Sequence, residues 1–217
     1  MTETKREAKL VQYLSEAYGK EKELETALEA HIGMTTRKPY KKRLQDHLKE
    51  TKSHARSLES RIKQIGGGGP QFIDKVAGQA SAKAKSLAKG PLHMVRGVSD
   101  AEKMLKNAKT EYFNEHEEIA TYTAIETLAE AVGDQETAKL AREIRREEER
   151  MAKFLAGQIP TLTRAVVTAE VPASERSKAN GGRRRRTSRS TSSARRTRST
   201  SSRGGRSRSR SRSTARS

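Results

Sequence analysis

The sequence predicts an all-α chain: an antiparallel four-helix bundle with a partly helical crossover between helices 2 and 3, followed by a disordered basic tail. Three observations predict it. Apolar residues recur at steps of three and four in four long segments. Glycine and proline interrupt the pattern between them. Beyond residue 176 the text reduces to Arg, Ser, Thr, Gly and Ala with a lone Lys and Asn, which cannot bury enough apolar area to offset its ordering entropy.

Helix 1 is expected from Thr4 to Ile32, on a stripe of Leu10, Leu14, Ala17, Glu21, Leu24 and Leu28. Gly33 is expected to end it and Pro39 to sit in the first turn of the next helix. Helix 2, from Pro39 to Ile65, carries Tyr40, Leu44, His47, Thr51, His54, Leu58, Ile62 and Ile65 on one stripe, with Glu50 on the same side. The run Gly66 to Gly69, then Pro70, stops it. Residues 71–99 read as the crossover, moderately helical to Lys89 and broken at Gly90-Pro91. Ser99, with Glu102 three residues on, predicts a capping box for helix 3, from Asp100 to Val132. Its stripe is Leu105, Ala108, Tyr112, Glu115, Ile119, Tyr122 and Ala129, with Glu118 one turn from Glu115. Helix 4, from Asp134 to Gln158, carries Ala141, Ile144, Glu148, Met151 and Leu155, and Pro160 is expected to close it. The implied domains are residues 1–160 for the bundle, 161–175 for a short extension and 176–217 for the tail.

The chain has 217 residues, no Cys and no Trp. Disulfides and thiolate metal sites are excluded, and no run of about 20 apolar residues offers a membrane span. The charged start, Thr2 to Glu7, does not read as an export signal, so a cytoplasmic location is expected. The net charge of +19 is uneven: residues 176–217 hold 16 of the 46 basic residues and no Asp or Glu. The bundle is nearly neutral.

Every helix therefore places a carboxylate on its apolar side, and helix 2 adds imidazoles. A bare carboxylate is rarely buried unless it is paired, protonated or bound to metal. Carboxylates from four helices, with histidine, form the donor set of a dinuclear iron or manganese site in a bundle core. The expected ligands are Glu21, His47, Glu50, His54, Glu115, Glu118 and Glu148, holding two Fe (or Mn) per chain. Glu147 competes with Glu148 as the helix 4 ligand, and the stripe favours Glu148. Tyr18 and Tyr122 lie within a turn of ligands and can brace them. His31, His93 and His116 read as surface or structural. The alternative is a charge-rich bundle whose glutamates reach solvent from the stripe edges.

The segments Tyr18-Gly19-Lys20-Glu21-Lys22-Glu23-Leu24, His47-Leu48-Lys49-Glu50-Thr51, Glu115 to Tyr122 and Glu147-Glu148-Glu149 resemble the signatures of the YciE/YciF-type ferritin-like proteins over about residues 8–158. The resemblance implies a ferritin-like bundle, often dimeric, with a dinuclear metal site and stress-linked expression. It names no reaction. Ferritin-like chains usually carry Glu-x-x-His on helices 2 and 4. Here helix 2 reads His47-x-x-Glu50 with Ser53 beyond, and Met151 follows Glu148 by three residues. The donor set is thus rich in carboxylate.

The tail, through Arg183, Arg184, Arg185, Arg186, Arg195, Arg196, Arg206, Arg208, Arg210 and Arg212, is an electrostatic footprint for a polyanion. No aromatic residue follows Phe154, so stacking readout is not expected, and DNA is favoured over RNA. The expected function is a stress protein joining iron or peroxide chemistry to non-specific DNA binding, homodimeric or larger, cytoplasmic and nucleoid-associated. The alternatives are a metal-free nucleoid or scaffold protein and, more remotely, a di-iron oxygenase.

Overall fold

Helix α1, Lys5–Met34, starts from a complete capping box. The Thr4 hydroxyl accepts from the Glu7 amide, and the Glu7 carboxylate accepts from the Thr4 amide at 2.8 Å. Helix α2 is Lys38–Gln64, with Pro39 in its first turn. Helix α3 is Asp100–Ala131, where Ser99 accepts from the Glu102 amide, and α4 is Gln135–Glu170. A short 3₁₀ turn, Ala173–Glu175, follows. The computed structural model describes residues 4–66 and 99–176, and no strand occurs among them. The expected crossover and tail lie outside the described residues. No described helix is long and apolar enough to cross a membrane.

α1 packs on α2 and α3 on α4. The pairs are joined through α1 against α3 and, more sparsely, α2 against α4. Arg61 fixes the register where α2 ends and α4 begins. Its guanidinium donates to Asp134 Oδ1 at 2.6 Å, and its Nε donates to Thr137 at 2.8 Å. At the opposite end Ser99 donates to Glu170, tying the start of α3 to the end of α4.

The core has two large apolar clusters and a small third one of Leu10, Ala129 and Ala138. One joins Val11, Leu14, Tyr18, Leu58, Ile62, Tyr122, Ile125 and Ile144. The other joins Leu28, Tyr40, Leu44, Met104, Met151, Leu155 and Leu162. On every helix one group of buried polar residues falls between these two: Glu21 on α1, His47, Thr51 and His54 on α2, Glu111, Glu115 and Glu118 on α3, and Glu148 on α4.

Three expectations differ from the structure. Gly33 lies inside α1, which continues to Met34 because Thr35 takes the cap and is itself buried, its hydroxyl donating to the His31 carbonyl. Pro160 does not close α4; the helix runs ten residues beyond it. A proline inside a helix costs about 3 kcal/mol. Burying Leu162 in the second cluster returns roughly 1.5–3 kcal/mol, and half-buried Ile159 adds to it. Arg176 then caps the end, its Nη2 donating to the Thr168 carbonyl at 2.7 Å. Finally, the buried line of α3 is Met104, Ala108, Glu111, Glu115, Glu118, Tyr122, Ile125 and Ala129. Leu105, Tyr112 and Ile119 flank it, half-buried. Ala108, Glu115, Tyr122 and Ala129 of the expected stripe are buried, and in its middle Glu111 and Glu118 take the core-facing positions while Tyr112 and Ile119 stand on the flank.

The seat of Leu162 makes a test. Leu162→Ala is expected to lower unfolding stability by about 2–5 kcal/mol in a urea titration. A change within about 0.5 kcal/mol, as at an exposed site, would mean that the helix beyond Pro160 is not packed.

Candidate metal centre

The polar layer follows from helix geometry. Glu115 and Glu118, three residues apart on α3, project to one side, as do His47 and His54, seven apart on α2. Glu21 and Glu148 complete the layer from α1 and α4, each wholly inaccessible to solvent.

Two groups of three donors form. Glu21, His54 and Glu148 make one; His47, Glu115 and Glu148 make the other; within each, the ligand atoms lie within 4.8 Å of one another. Glu148 belongs to both. Its Oε1 lies 2.9 Å from His54 Nδ1 and its Oε2 lies 3.8 Å from His47 Nε2. Glu115 Oε1 is 3.1 Å from the same His47 nitrogen. Glu118 is buried beside them with neither oxygen hydrogen-bonded.

The outward nitrogens of both imidazoles meet carboxylates. His47 Nδ1 pairs with Glu50 Oε2 at 3.1 Å, and His54 Nε2 with Glu147 Oε2 at 2.9 Å. Each outer carboxylate holds an arginine of its own helix, Arg43 at 2.9 Å from Glu50 and Arg150 at 3.2 Å from Glu147. Carboxylates in this position fix ring orientation and raise the basicity of the inward nitrogen. Glu50, expected among the ligands, therefore sits behind His47, its side chain 31% exposed, and joins neither group. Of Glu147 and Glu148, Glu148 belongs to both groups and Glu147 to neither. Tyr122 donates to Glu21 Oε1 and braces it; Tyr18 packs in the first apolar cluster.

The sequence reading missed Glu111. It is buried and paired with His31 Nδ1, and its Oε2 has no hydrogen-bond partner. Its spacing of four from Glu115 was the available signal. His31 is accordingly buried, His116 is exposed and bonded to the Tyr112 carbonyl at 2.8 Å, and His93 lies outside the described residues, as do the tail arginines from Arg183 to Arg212.

Each of the two groups could hold a metal ion. Oxygens of Glu21, Glu115, Glu118 and Glu148 are buried without hydrogen-bond partners, an arrangement that costs about 1–3 kcal/mol per group, more for charged ones, if nothing satisfies it. The donors are carboxylate and imidazole, suited to iron or manganese.

Without a cation, protons must hold the layer together. Burial, opposed by His54, raises the Glu21 carboxyl. Burial and the charges of Glu148, Glu21 and Glu115 push Glu118 well up, and burial, opposed by His47, lifts Glu115 to about 8. Burial alone would lower the imidazoles. Bonding to Glu115 outweighs it at His47, raised to about 10, and bonding to Glu148 and Glu21 does so at His54, raised to about 11. At Glu148 burial is outweighed by His54 and His47, and its pKa falls. At Glu50 burial is outweighed by His47 and Arg43, to about 2.

Two comparisons bear on this arrangement. A family described as a domain of unknown function, DUF892, matches residues 5–168. Among solved structures, a protein of Xanthomonas campestris pv. campestris matches with a TM-score of 0.61 and 25% identity, covering 77% of this chain and 99% of its own. The stress protein YciF of E. coli matches with a TM-score of 0.55 and 23% identity, covering 74% of this chain and 98% of its own. The second likeness is one of fold.

The proton inventory sets a pH dependence for the metal-free protein. Raised Glu115 and raised His47 and His54 mean that the folded state binds more protons than the unfolded one from 4.5 to about 8 and from 6.5 to about 10 or 11. Their stabilisation is complete below those lower limits and is lost as pH rises through the windows. Glu50 runs the other way: its contribution is present above 4.5 and lost as pH falls towards about 2. The Tm of metal-free protein is thus expected to peak near about pH 5 and decline towards about pH 9. Added Mn(II), which displaces protons, should stabilise more at the higher pH. A metal-free Tm that climbs steadily over that range would contradict the assignment.

Proposed function

Because the chain belongs to the family described as a domain of unknown function, DUF892, and matches a stress protein in fold, we propose that it is a ferritin-like stress protein. In this reading its polar layer binds two iron or manganese ions and oxidises Fe(II), as substrate, with oxygen or peroxide. The supporting observation is Glu148, a single buried carboxylate shared between two groups of Glu and His donors.

Bound iron or manganese would supply one-electron redox chemistry. The chain's own residues do the rest. Glu21 and His54 would hold one ion, Glu115 and His47 the other, Glu148 both, and Glu118 offers two further oxygens. Glu50 and Glu147 keep the inward imidazole nitrogens aimed at the layer. Tyr122 holds Glu21 in one rotamer. The two apolar clusters exclude bulk water.

The basic tail extends the proposal: it binds nucleic acid, DNA before RNA, without sequence preference, and places the bundle on the cytoplasmic nucleoid as a homodimer or larger homo-oligomer. The competing reading is a metal-free bundle that only displays the tail. What favours it is that His47 and His54, protonated, neutralise part of the layer without an ion.

Elemental analysis of the full chain, beside a Glu21→Ala/Glu148→Ala variant, separates the two. About two Fe or Mn per chain, lost in the variant, and Fe(II) oxidation above buffer are expected. At a metal concentration of about 100 Kd, binding should add about 2.7 kcal/mol of stability, absent in the variant. Equal, near-zero metal in both proteins would leave only the metal-free bundle.

DNA binding by the full chain is expected to weaken with salt, with a log–log slope of about −7 for roughly eight phosphate contacts. Replacing Arg183 to Arg186 by Ser should flatten the slope by about 3 to 4. A slope unaffected by that change would remove the tail from the interface.

A further inference from the structure

The near-neutral charge of the bundle conceals a separation. Helix α2 holds nine Lys and Arg against three Asp and Glu, a surplus of six positive charges. Helix α3 holds three against eight, a deficit of five. α1 and α4 are each within one charge of neutral. The two charged helices stand diagonally across the bundle, since α2 packs on α1 and α4.

The surplus of α2 faces solvent. Lys38, Lys42, Lys49, Arg56 and Lys63 are all exposed, at steps of four and then seven that keep them on one side of the helix. They form a ridge about 37 Å long. The exposed positions between them are Gln45, Ser53 and Ser60, and no exposed residue of α2 is acidic. Half-buried Asp46 pairs with Lys42 and Lys49, and half-buried Glu59 with Lys63. Exposed pairs within one turn are weak and screened by salt, so these lysines remain available to a stronger anion. Lys38 and Arg56 meet no carboxylate among the described residues. Arg56 stands with Ser53, Ser57 and Ser60 on the wall of an open groove of about 380 Å³ between α2 and α4.

We propose that the outer face of α2 is a docking surface for duplex nucleic acid, gripping the phosphate backbone independently of the tail. The proposal rests on the DNA-binding half of the reading above and needs nothing of the metal half. Cations and hydroxyls in line are what backbone contact uses: Lys and Arg neutralise phosphates, and Ser and Gln donate to their oxygens. The ridge is about as long as one turn of B-form DNA. It exposes no aromatic residue, so it offers single strands no stacking platform. A membrane would take apolar side chains from a surface helix, and the large exposed hydrophobics among the described residues, Phe113 and Val167, lie on α3 and α4. Docking through α2 also keeps acid-rich α3, at the far corner, away from the phosphates.

The test is the salt dependence of binding to a random-sequence DNA duplex, read by fluorescence anisotropy with the full chain. Lys38→Gln/Lys49→Gln/Arg56→Gln removes three cations of the ridge. Lys103→Gln/Lys106→Gln/Lys109→Gln on α3 removes the same charge elsewhere. Both are made with the native tail and with Arg183 to Arg186 replaced by Ser, and each is checked for cooperative melting. Arg56→Gln alone stands in for the ridge variant if that does not fold. The ridge variant is expected to flatten the log–log slope by about 2 to 3 in both tail backgrounds, and the α3 variant by less than about 1. A ridge effect beside a tail change without effect removes the tail from the interface and leaves this surface standing. A slope unmoved by the ridge variant, or moved equally by the α3 variant, overturns the proposal while the tail reading survives. Absence of DNA binding by the wild type overturns both. Weakened binding of the ridge variant to phosphatidylserine vesicles, with its DNA slope unmoved, also overturns the proposal and assigns the face to a membrane surface.

Discussion

The constraint on which this bundle depends is the burial of more carboxylates than cationic side chains in a single layer. Five glutamates and two histidines occupy it, every one nearly inaccessible, with His31 paired to Glu111 at its edge. A charge in such surroundings must be paired, neutralised by a proton or bound to a cation. The apolar residues on either side can be packed in conventional ways, and their arrangement is shaped by the need to enclose that layer. Each helix changes from apolar to polar and back at the same level. A change in register of one helix would bring a carboxylate into an apolar cluster and an apolar residue into the layer. The layer therefore specifies the alignment of the four helices while doing little for stability by itself.

The imidazoles show how that alignment is held. Each histidine is clamped between an inner and an outer carboxylate, and each outer carboxylate is held by an arginine on the same helix. The pattern repeats on α2 and α4 with no repeat in the sequence: Arg43 precedes Glu50 by seven residues, and Arg150 follows Glu147 by three. The arginines and the outer carboxylates are the solvent-facing members. A half-exposed pair contributes little to stability, but here it sets which nitrogen of a buried ring faces inward.

Much of this was legible because a polar residue on an apolar stripe breaks an otherwise regular pattern. Glu21, His47, His54 and Glu148 were found that way. Glu111 was not, because Tyr112 beside it is apolar and continues a stripe at equally good spacing. On a helix whose buried line carries three carboxylates, hydrophobicity finds the ends of that line, Ala108, Tyr122 and Ala129, and misses part of its middle. Glu50 was misplaced for a related reason: spacing gives the side of a helix, not the reach of a side chain, and Arg43 draws this one outward. Pro160 was read through its local preference alone. The contacts that carry α4 past it, the second cluster of Leu28, Tyr40 and Met104 around Leu162 and Ser99 at the far end, come from residues distant in sequence.

The two apolar clusters also determine how anything small reaches the middle of the molecule. Travel along the bundle axis would mean passing through Leu14, Leu58 and Ile125 from one end or Leu44, Leu155 and Leu162 from the other, all essentially inaccessible. Approach is therefore lateral, between helices. Of the four adjacent pairs, α2 and α4 touch least. Along that seam stand Glu50 and Glu147, with side chains 31% and 36% exposed. The side door of the bundle is thus its most loosely packed seam, and on the solvent side it is closed by two carboxylate–arginine pairs, Glu50 with Arg43 and Glu147 with Arg150. An arriving ion there meets guanidinium and carboxylate together, so it enters by exchanging places with an arginine and not by falling onto a bare charge.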